Sequence, residues 1–479
     1  ERIMAMITDP EKPVDIDRLL VVTFTNAAAG EMRQRVGKAL EEALVEHPGD
    51  KRLQKQLSLL HNAQITTIDS FCQSIIRNYF HVIDLDPVFR VADDTEIKLM
   101  KQEVLDEVLE ECYQRAEAEP ETEENRNFIA MIDAFSTGRD DSAAGNLVLD
   151  VHNMSQSAPW PEDWLNGIVD IYEKKTTDWI TELQGYVADM LEGYLAQARR
   201  TLEICRQDGP EEYEPAIWSD IEQLEQCAAV SDYEDYAKYI CGFQKKKLAS
   251  SKAENKKIIQ DMRKTYIDKG IRKLEEKYFR EELQGPYEQM APAVKGLVQT
   301  TKLFEEVFSV RKREDGVLDF NDMEHFALQI LVDHGQGDVP SAVAKELQEY
   351  YQEIMIDEYQ DSNIIQEAIL SAITKGFGIN NMFMVGDVKQ SFYRFRLADP
   401  TLFLGRMRTF STEKDAAERR ITLQMNFRSD ANVLEATNDL FCTLMRREVT
   451  ELDYLPEDEL IPAPGRAEGA QVEMHLLNA

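Results

Sequence analysis

The sequence predicts an α/β fold: a parallel-sheet domain interrupted by a large all-helical insertion. Three observations carry this. Near the start, two β-branched runs each lead into a segment with helical periodicity, and alternating strand–helix units build parallel sheets with helices on their faces. From about Asp93 to about Arg313, long charged amphipathic stretches replace strand-like runs. After that block three short apolar runs return, each ending in polar or charged residues.

Taken in order, Glu1 to Ala5 is short and helix-compatible, and "TDPEKPVD" turns the chain. "RLLVVTFT" (Arg18 to Thr25) reads as a buried strand. "NAAAGEMRQRVGKALEEAL" then sets Met32, Val36, Leu40 and Leu44 on one helical stripe. In "AQITTIDSFCQSIIRNYF" the strand is expected to stop at Thr66 or Thr67, with Asp69 or Ser70 capping the next helix. Loops punctuate the helical block at "SAPWPEDW" (Ser157 to Trp164) and "DGPEEYEP" (Asp208 to Pro215). Within it, Gln244 to Arg280 is locally basic, which suits either a solvated helix face or a contact to a nucleic-acid backbone. The returning strands are expected in "YQEIMIDEYQ", "NMFMVGDVKQ" and "RITLQMNFRS", with their polar ends along one carboxyl edge of the sheet, where open α/β folds bind ligands.

At 479 residues the chain is too long for one ordinary core, so two or three domains are expected. No apolar run is long enough to span a bilayer and no secretory signal opens the chain, so the default location is the cytoplasm and no membrane partner is expected. Cys72, Cys112, Cys205, Cys227, Cys241 and Cys442 form no C-x-x-C pair and read as reduced, mostly core thiols. The net charge of −35 argues against a surface that coats polyanions, yet leaves room for a local groove of backbone amides, aromatic rings and a few cations.

Asp357 and Glu358 follow an apolar strand in the order used by nucleotide hydrolases, where an Asp holds Mg²⁺ and a Glu orients or deprotonates the attacking water. Taken alone, the pair equally suits an acidic turn capping the next helix. "GDVKQS" adds Gln390, able to bond a phosphate oxygen, and "NFRS" adds Arg428, able to neutralise charge on a γ-phosphate.

These segments carry a resemblance. "TFTNAAAGEMRQRV" resembles the first DNA-contacting motif of superfamily-1 DNA helicases of the UvrD and RecB kind; "IDEYQDSN", "GDVKQSFYRFR" and "QMNFRS" resemble their magnesium, third and fourth motifs. "LADP" (Leu397 to Pro400), "DLDPVFRVADDTE" (Asp84 to Glu96) and "LDFNDMEHFALQIL" (Leu318 to Leu331) look most like the AddA type, helicase-nuclease subunits of bacterial double-strand-break repair complexes.

The resemblance implies a RecA-like first motor domain in residues 1–92 and 314–419, an inserted helical subdomain in 93–313, and the start of a second motor domain in 420–479. It makes Asp357 the Mg²⁺-associated carboxylate, Glu358 the catalytic base, Gln390 the γ-phosphate sensor and Arg428 the cation from the second motor domain, with ATP and Mg²⁺ as cofactors. For DNA, single- or double-stranded, it offers Phe24, Thr25, Asn26, Thr67, Ser70, Tyr393, Phe395 and Arg396. Rings such as Phe24 and Phe395 can stack on bases of any sequence, and hydroxyls and amides hold phosphates without a large net charge; a core role suits the same rings.

The implied activity is ATP-dependent 3′–5′ helicase translocation in recombinational repair, and the implied partner is an AddB-type second subunit. No G-x-x-x-x-G-K-S/T phosphate loop occurs, so the resemblance implies a fragment that begins just after that loop, with Glu1 to Ile7 as the tail of the helix it caps. Such a fragment is expected to hydrolyse ATP poorly alone. No nuclease-like Asp and Glu-x-Lys constellation is found, and exonuclease activity is expected only in the full-length parent. The competing expectations are a catalytically silent DNA- or partner-binding module and a UvrD- or RecB-like helicase without nuclease.

Overall fold

The computed structural model describes residues 1–136, 140–173, 178–279, 290–376, 380–391, 398–445, 452–465, 471 and 473, without the side chains of 173 and 178–182. They fall into two compact units, Glu1–Asp170 with Ala291–Ile421, and Ile171–Met290 with Thr422–Ala479.

In chain order the strands are β1 (Leu19–Thr23), β2 (Gln64–Thr67), β3 (Arg90–Val91), β4 (Val317–Leu318), β5 (Val332–Asp333), β6 (Val339–Pro340), β7 (Glu353–Ile356), β8 (Met382–Met384), β9 (Met425–Asn426) and β10 (Ile461–Pro462). The helices are α1 (Arg2–Ile7), α2 (Asn26–Glu46), α3 (Lys51–Leu59), α4 (Ile68–Tyr79), α5 (Asp94–Ala118), α6 (Glu123–Phe135), α7 (Ser142–Ser155), α8 (Pro161–Glu173), α9 (Asp178–Asp208), α10 (Glu214–Ala228), α11 (Tyr233–Cys241), α12 (Lys256–Tyr266), α13 (Arg272–Tyr278), α14 (Ala291–Glu314), α15 (Phe320–Leu331), α16 (Ala342–Tyr350), α17 (Ile364–Ala372), α18 (Pro400–Thr409) and α19 (Ala431–Leu444).

The first unit is built on a parallel sheet in the order β2-β1-β7-β8. Thr66, Val22, Ile356 and Met384 lie in one register row, so all four strands end at nearly the same level. Because side chains alternate across a strand, Leu20, Val22, Ile354 and Ile356 face a core with α4, α15 and α17, while Leu19, Val21, Ile65 and Met355 face another with α1, α2 and α3. β1 and β7 are buried along their whole length, which is why Leu19 to Val22 and Ile354 to Ile356 read as apolar runs.

The expected stripe of α2 is the packed one: Val36 and Leu40 are buried, and Met32 and Leu44 pack against the same core. The cap of α4 differs from expectation. The strand passes straight into the helix, so Thr67 is the N-cap and accepts from Ser70 N at 3.4 Å, leaving Asp69 and Ser70 inside the first turn.

The helical block begins where expected. Asp93 caps α5, accepting from Thr95 N and Glu96 N at 2.9 Å. The chain leaves the block beside its entry, where β3 pairs in parallel with β4 and Ala92 N donates to Leu318 O at 3.0 Å. Helices α5 to α7 and α14 share one core with β4. Gly296 lets α14 touch α6, since a Cβ there would stand 2.1 Å from Asn127 O. At the end of α14, buried Lys312 donates to Asp322 at 2.6 Å and to Asp319 at 3.2 Å, the two residues that form the capping box of α15.

In the second unit, α9 to α13 surround a core that includes Leu191, Ile217, Tyr266 and Ile271. Arg263 is buried against Asp220 through two bonds of 2.6 and 2.8 Å, and Tyr266 Oη donates to the same carboxylate at 3.0 Å. Lys245 pairs with Asp268 and Arg272 with Glu275, each at 2.7 Å, so the basic stretch is not one free cationic face.

The expected strand at "RITLQMNFRS" shrinks to β9, which pairs with β10. Among the described residues it does not join the four-stranded sheet, contrary to expectation. Cys72, Cys112, Cys205 and Cys227 are buried. No helix among the described residues is long and apolar enough to cross a membrane.

Candidate active site

The carboxyl edge of the four-stranded sheet gathers most of the residues expected to act. After β7 the turn is tied to both neighbours: Asp357 N donates to Val22 O of β1 at 3.0 Å, and Tyr359 N to Val385 O beyond β8 at 2.9 Å. Asp357 is half-buried, and burial, then the adjacent Glu358, raises its carboxyl above the usual Asp range. Glu358 is exposed with left-handed backbone, φ 53° and ψ 43°. For a residue with a Cβ that conformation costs ~1–3 kcal/mol and persists only where the surroundings hold it.

After β8 the chain turns through Gly386 and Asp387 into a short 3₁₀ turn, Val388–Gln390. Asp387 organises it: one carboxylate oxygen accepts from Lys389 N at 3.1 Å and pairs with Lys389 Nζ at 2.9 Å, and the other accepts from Gln390 Nε2 at 2.9 Å. Gln390 therefore rests on Asp387, with its side chain exposed at the sheet edge.

Gln360 joins the two turns. Its Nε2 donates to Glu358 Oε2 at 2.7 Å, and its Oε1 accepts from Asp387 N at 2.9 Å. Nothing in the sequence singled it out, because a polar residue two positions after an acidic one gives no sign of burial; the nearest signal was its place inside "DEYQD".

Packing behind the turns holds them. Tyr359 Oη donates to Glu367, and Arg406 of α18 donates to that carboxylate at 2.6 Å. The Tyr359 and Phe403 rings meet edge-on at 5.4 Å. Asn363 caps α17 in a capping box with Gln366, and both side chains donate to buried Glu324, at 3.0 and 2.7 Å. Asp361 is buried, its Oδ1 without a partner among the described residues, and burial, then Glu358, pushes its carboxyl up to about 6.

The remaining expected residues divide. Half-buried Phe24 and exposed Thr25 and Asn26 follow β1, while Thr67 ends β2 and Ser70 lies in the first turn of α4, next along the same edge. Thr25 caps α2, accepting from Ala28 N at 3.1 Å. Thr67 is buried, and its hydroxyl meets that of Ser70 at 2.9 Å. Arg428 belongs to the second unit, where it is exposed and its backbone N donates to Asn426 Oδ1 at 2.9 Å. Tyr393, Phe395 and Arg396 lie outside the described residues.

The donor set fits Mg²⁺. Burial, then the neighbouring charge of Glu358, raises the Asp357 carboxyl at the strand end, and a divalent cation there would relieve that load. Among the described residues no group of three or more ligating side chains could cage a metal alone. Mg²⁺ does not need one, since it is held by one or two carboxylates together with waters and substrate phosphates.

Comparison with known proteins gives the family. Residues 1–411 match the UvrD/REP helicase N-terminal domain. The whole chain is 39% identical to proteins from Bacillus anthracis, Bacillus mycoides and Bacillus cereus, each of which is named as one subunit of an ATP-dependent helicase/nuclease. It spans 39% of the length of those relatives. With a match over residues 1–411 of its 479, the chain belongs to the family of UvrD/REP helicase N-terminal domains.

Proposed function

We propose that this chain is part of the motor of an ATP-dependent 3′–5′ DNA helicase that acts, with a nuclease in the full-length protein and an AddB-type second subunit, in processing double-strand breaks. The observation that carries the reading is the register row that brings the ends of β1, β2, β7 and β8 to one edge. One end of the row carries carboxylates suited to nucleotide hydrolysis, and the other carries capped helix starts suited to a phosphate backbone. The names of the relatives support both the motor and a companion subunit.

Residues 1–92 and 314–419 would form the first motor domain, 93–313 its insertion, and 420–479 the start of the second. Asp357 would hold Mg²⁺, which supplies neutralising charge to the phosphates of ATP. Glu358 accepts the proton of the attacking water, Gln390 donates its amide to the γ-phosphate, and Arg428 meets the charge that develops there. Thr25 and Thr67 start helices α2 and α4, whose first backbone N–H groups attract phosphate without added cations. Phe24, and Phe395 with Tyr393 and Arg396, would stack on or hold the strand, as would Asn26 and Ser70 through polar contacts. Such contacts reconcile DNA binding with a net charge of −35.

The 479 residues hold no phosphate-loop motif, so on this reading the isolated chain turns ATP over poorly. The test is unwinding by the intact protein of duplexes with a 3′ or a 5′ single-stranded tail. Strand separation that needs ATP and a 3′ tail supports the reading, and unwinding from the 5′ tail alone, or none, refutes it.

A further inference from the structure

We infer that Gln360 is a positioning residue, which aims Glu358 and ties it to the turn that carries Gln390. The inference rests on the reading of Glu358 as the catalytic base. Gln360 is only 1% exposed, and a buried amide is stable only when its polar atoms are bonded. Its two strong bonds cross between the turns: Nε2 to Glu358 Oε2 at 2.7 Å, and Asp387 N to Oε1 at 2.9 Å. The second N–H of the amide faces Asp361 Oδ2 at a long 3.5 Å. From Asp387 the contacts continue to Gln390 Nε2 at 2.9 Å. Glu358, Gln360, Asp387 and Gln390 thus form an unbroken series across two strand ends.

Two further features make the arrangement specific. Gly386 leaves room for the amide oxygen, because a Cβ at that position would come within 2.4 Å of it. Glu358 has a left-handed backbone, so ordinary turn geometry does not set its side chain; the bond from Gln360 does. That bond immobilises one carboxylate oxygen and leaves Oε1 to face water, the arrangement a general base needs. The series also gives the base a link to the γ-phosphate sensor, since a Gln390 drawn off Asp387 alters the residue whose N–H holds Gln360. The titratable groups around the amide are Glu358 and Asp361 on its own turn, and Asp387 and Lys389 on the other.

The test compares Gln360→Ala, Gln360→Glu and Glu358→Gln in the intact protein, by steady-state ATP hydrolysis with single-stranded DNA. Gln360→Ala is expected to lower kcat by ~10²-fold with KM within about threefold. Gln360→Glu has nearly the same shape and still accepts from Asp387 N, but donates to Glu358 only when protonated. Its deficit is therefore expected to shrink as pH falls from about 8.5 to about 6, while that of Gln360→Ala does not. If Glu358→Gln is inactive while Gln360→Ala stays within about twofold of wild type, or if the Gln360→Glu deficit is independent of pH, the positioning role is overturned and the base assignment survives. If Glu358→Gln keeps full turnover, the underlying reading fails instead. Should Gln360→Ala not fold, the pH profile of Gln360→Glu decides alone.

Discussion

A Cβ at Gly386 would stand 2.4 Å from Oε1 of Gln360, so the glycine after β8 and the glutamine after β7 fit only together. The same Cβ would lie 3.1 Å from Phe403 Cε1 and 3.2 Å from Tyr359 N, and backbone does not yield as a side-chain tip does. Gly386→Ala is therefore expected to cost about 1–3 kcal/mol of stability. Urea unfolding of the chain measures it, and an unchanged midpoint would mean that the turns are not packed this way.

Two helical glycines should respond in opposite directions. Gly296→Ala forces α14 off α6, where Asn127 O occupies the needed space, and should destabilise by about 1–3 kcal/mol or more. Gly30, inside α2 with nothing within 4 Å of a Cβ, should gain about 0.5–1 kcal/mol as Ala. Paired thermal melts check the contrast, and two changes of the same sign would refute it.

Lys312 is the cation beside Asp319 and Asp322 where the helical block rejoins the sheet domain, and its ammonium also lies 4.3 Å from the Phe308 ring centre. Burial pushes the Asp322 carboxyl up to about 6, even though Lys312 opposes the shift. Lys312→Met leaves two carboxylates buried without it, and should cost about 3–5 kcal/mol at neutral pH. A loss under about 1 kcal/mol by denaturant titration would mark the cluster as solvent-screened.

Asp361 predicts a pH dependence. Its folded pKa of about 6 lies above the ordinary Asp value, so the native state binds the proton more tightly than the unfolded state. Stability from this group is thus lost as pH rises from about 4 through about 6, and the deficit is complete above that. Asp361→Asn is neutral throughout, and should exceed wild type by about 1–3 kcal/mol at pH 8, with the gain gone by about pH 4. An equal difference at both pH values would place the effect in packing rather than ionisation.

The sheet was largely legible in the sequence because β1 and β7 are buried on both faces, and such strands are written mainly as apolar runs, here Leu19 to Val22 and Ile354 to Ile356. The ends of the helical block were legible through its change of composition, and α5 and α14 start and stop within a residue or two of the expected limits. What escaped was set by tertiary contacts. Whether "RITLQMNFRS" joins the main sheet depends on its pairing with Ile461–Pro462, which no local pattern encodes. Thr67 rather than Asp69 or Ser70 caps α4 because strand and helix abut without a loop. Gln360 carried no local signal, because its bond from Asp387 N comes from the turn after β8.

Glu358, held at the end of β7, is proposed as the base for ATP hydrolysis. The most direct test is single-turnover hydrolysis of ATP by the intact protein bound to single-stranded DNA, wild type against Glu358→Gln, with nucleotide binding measured on the same samples. If Glu358 is the base, binding stays close to wild type and hydrolysis slows by about 10²–10⁴-fold. Hydrolysis at the wild-type rate in Glu358→Gln would contradict it.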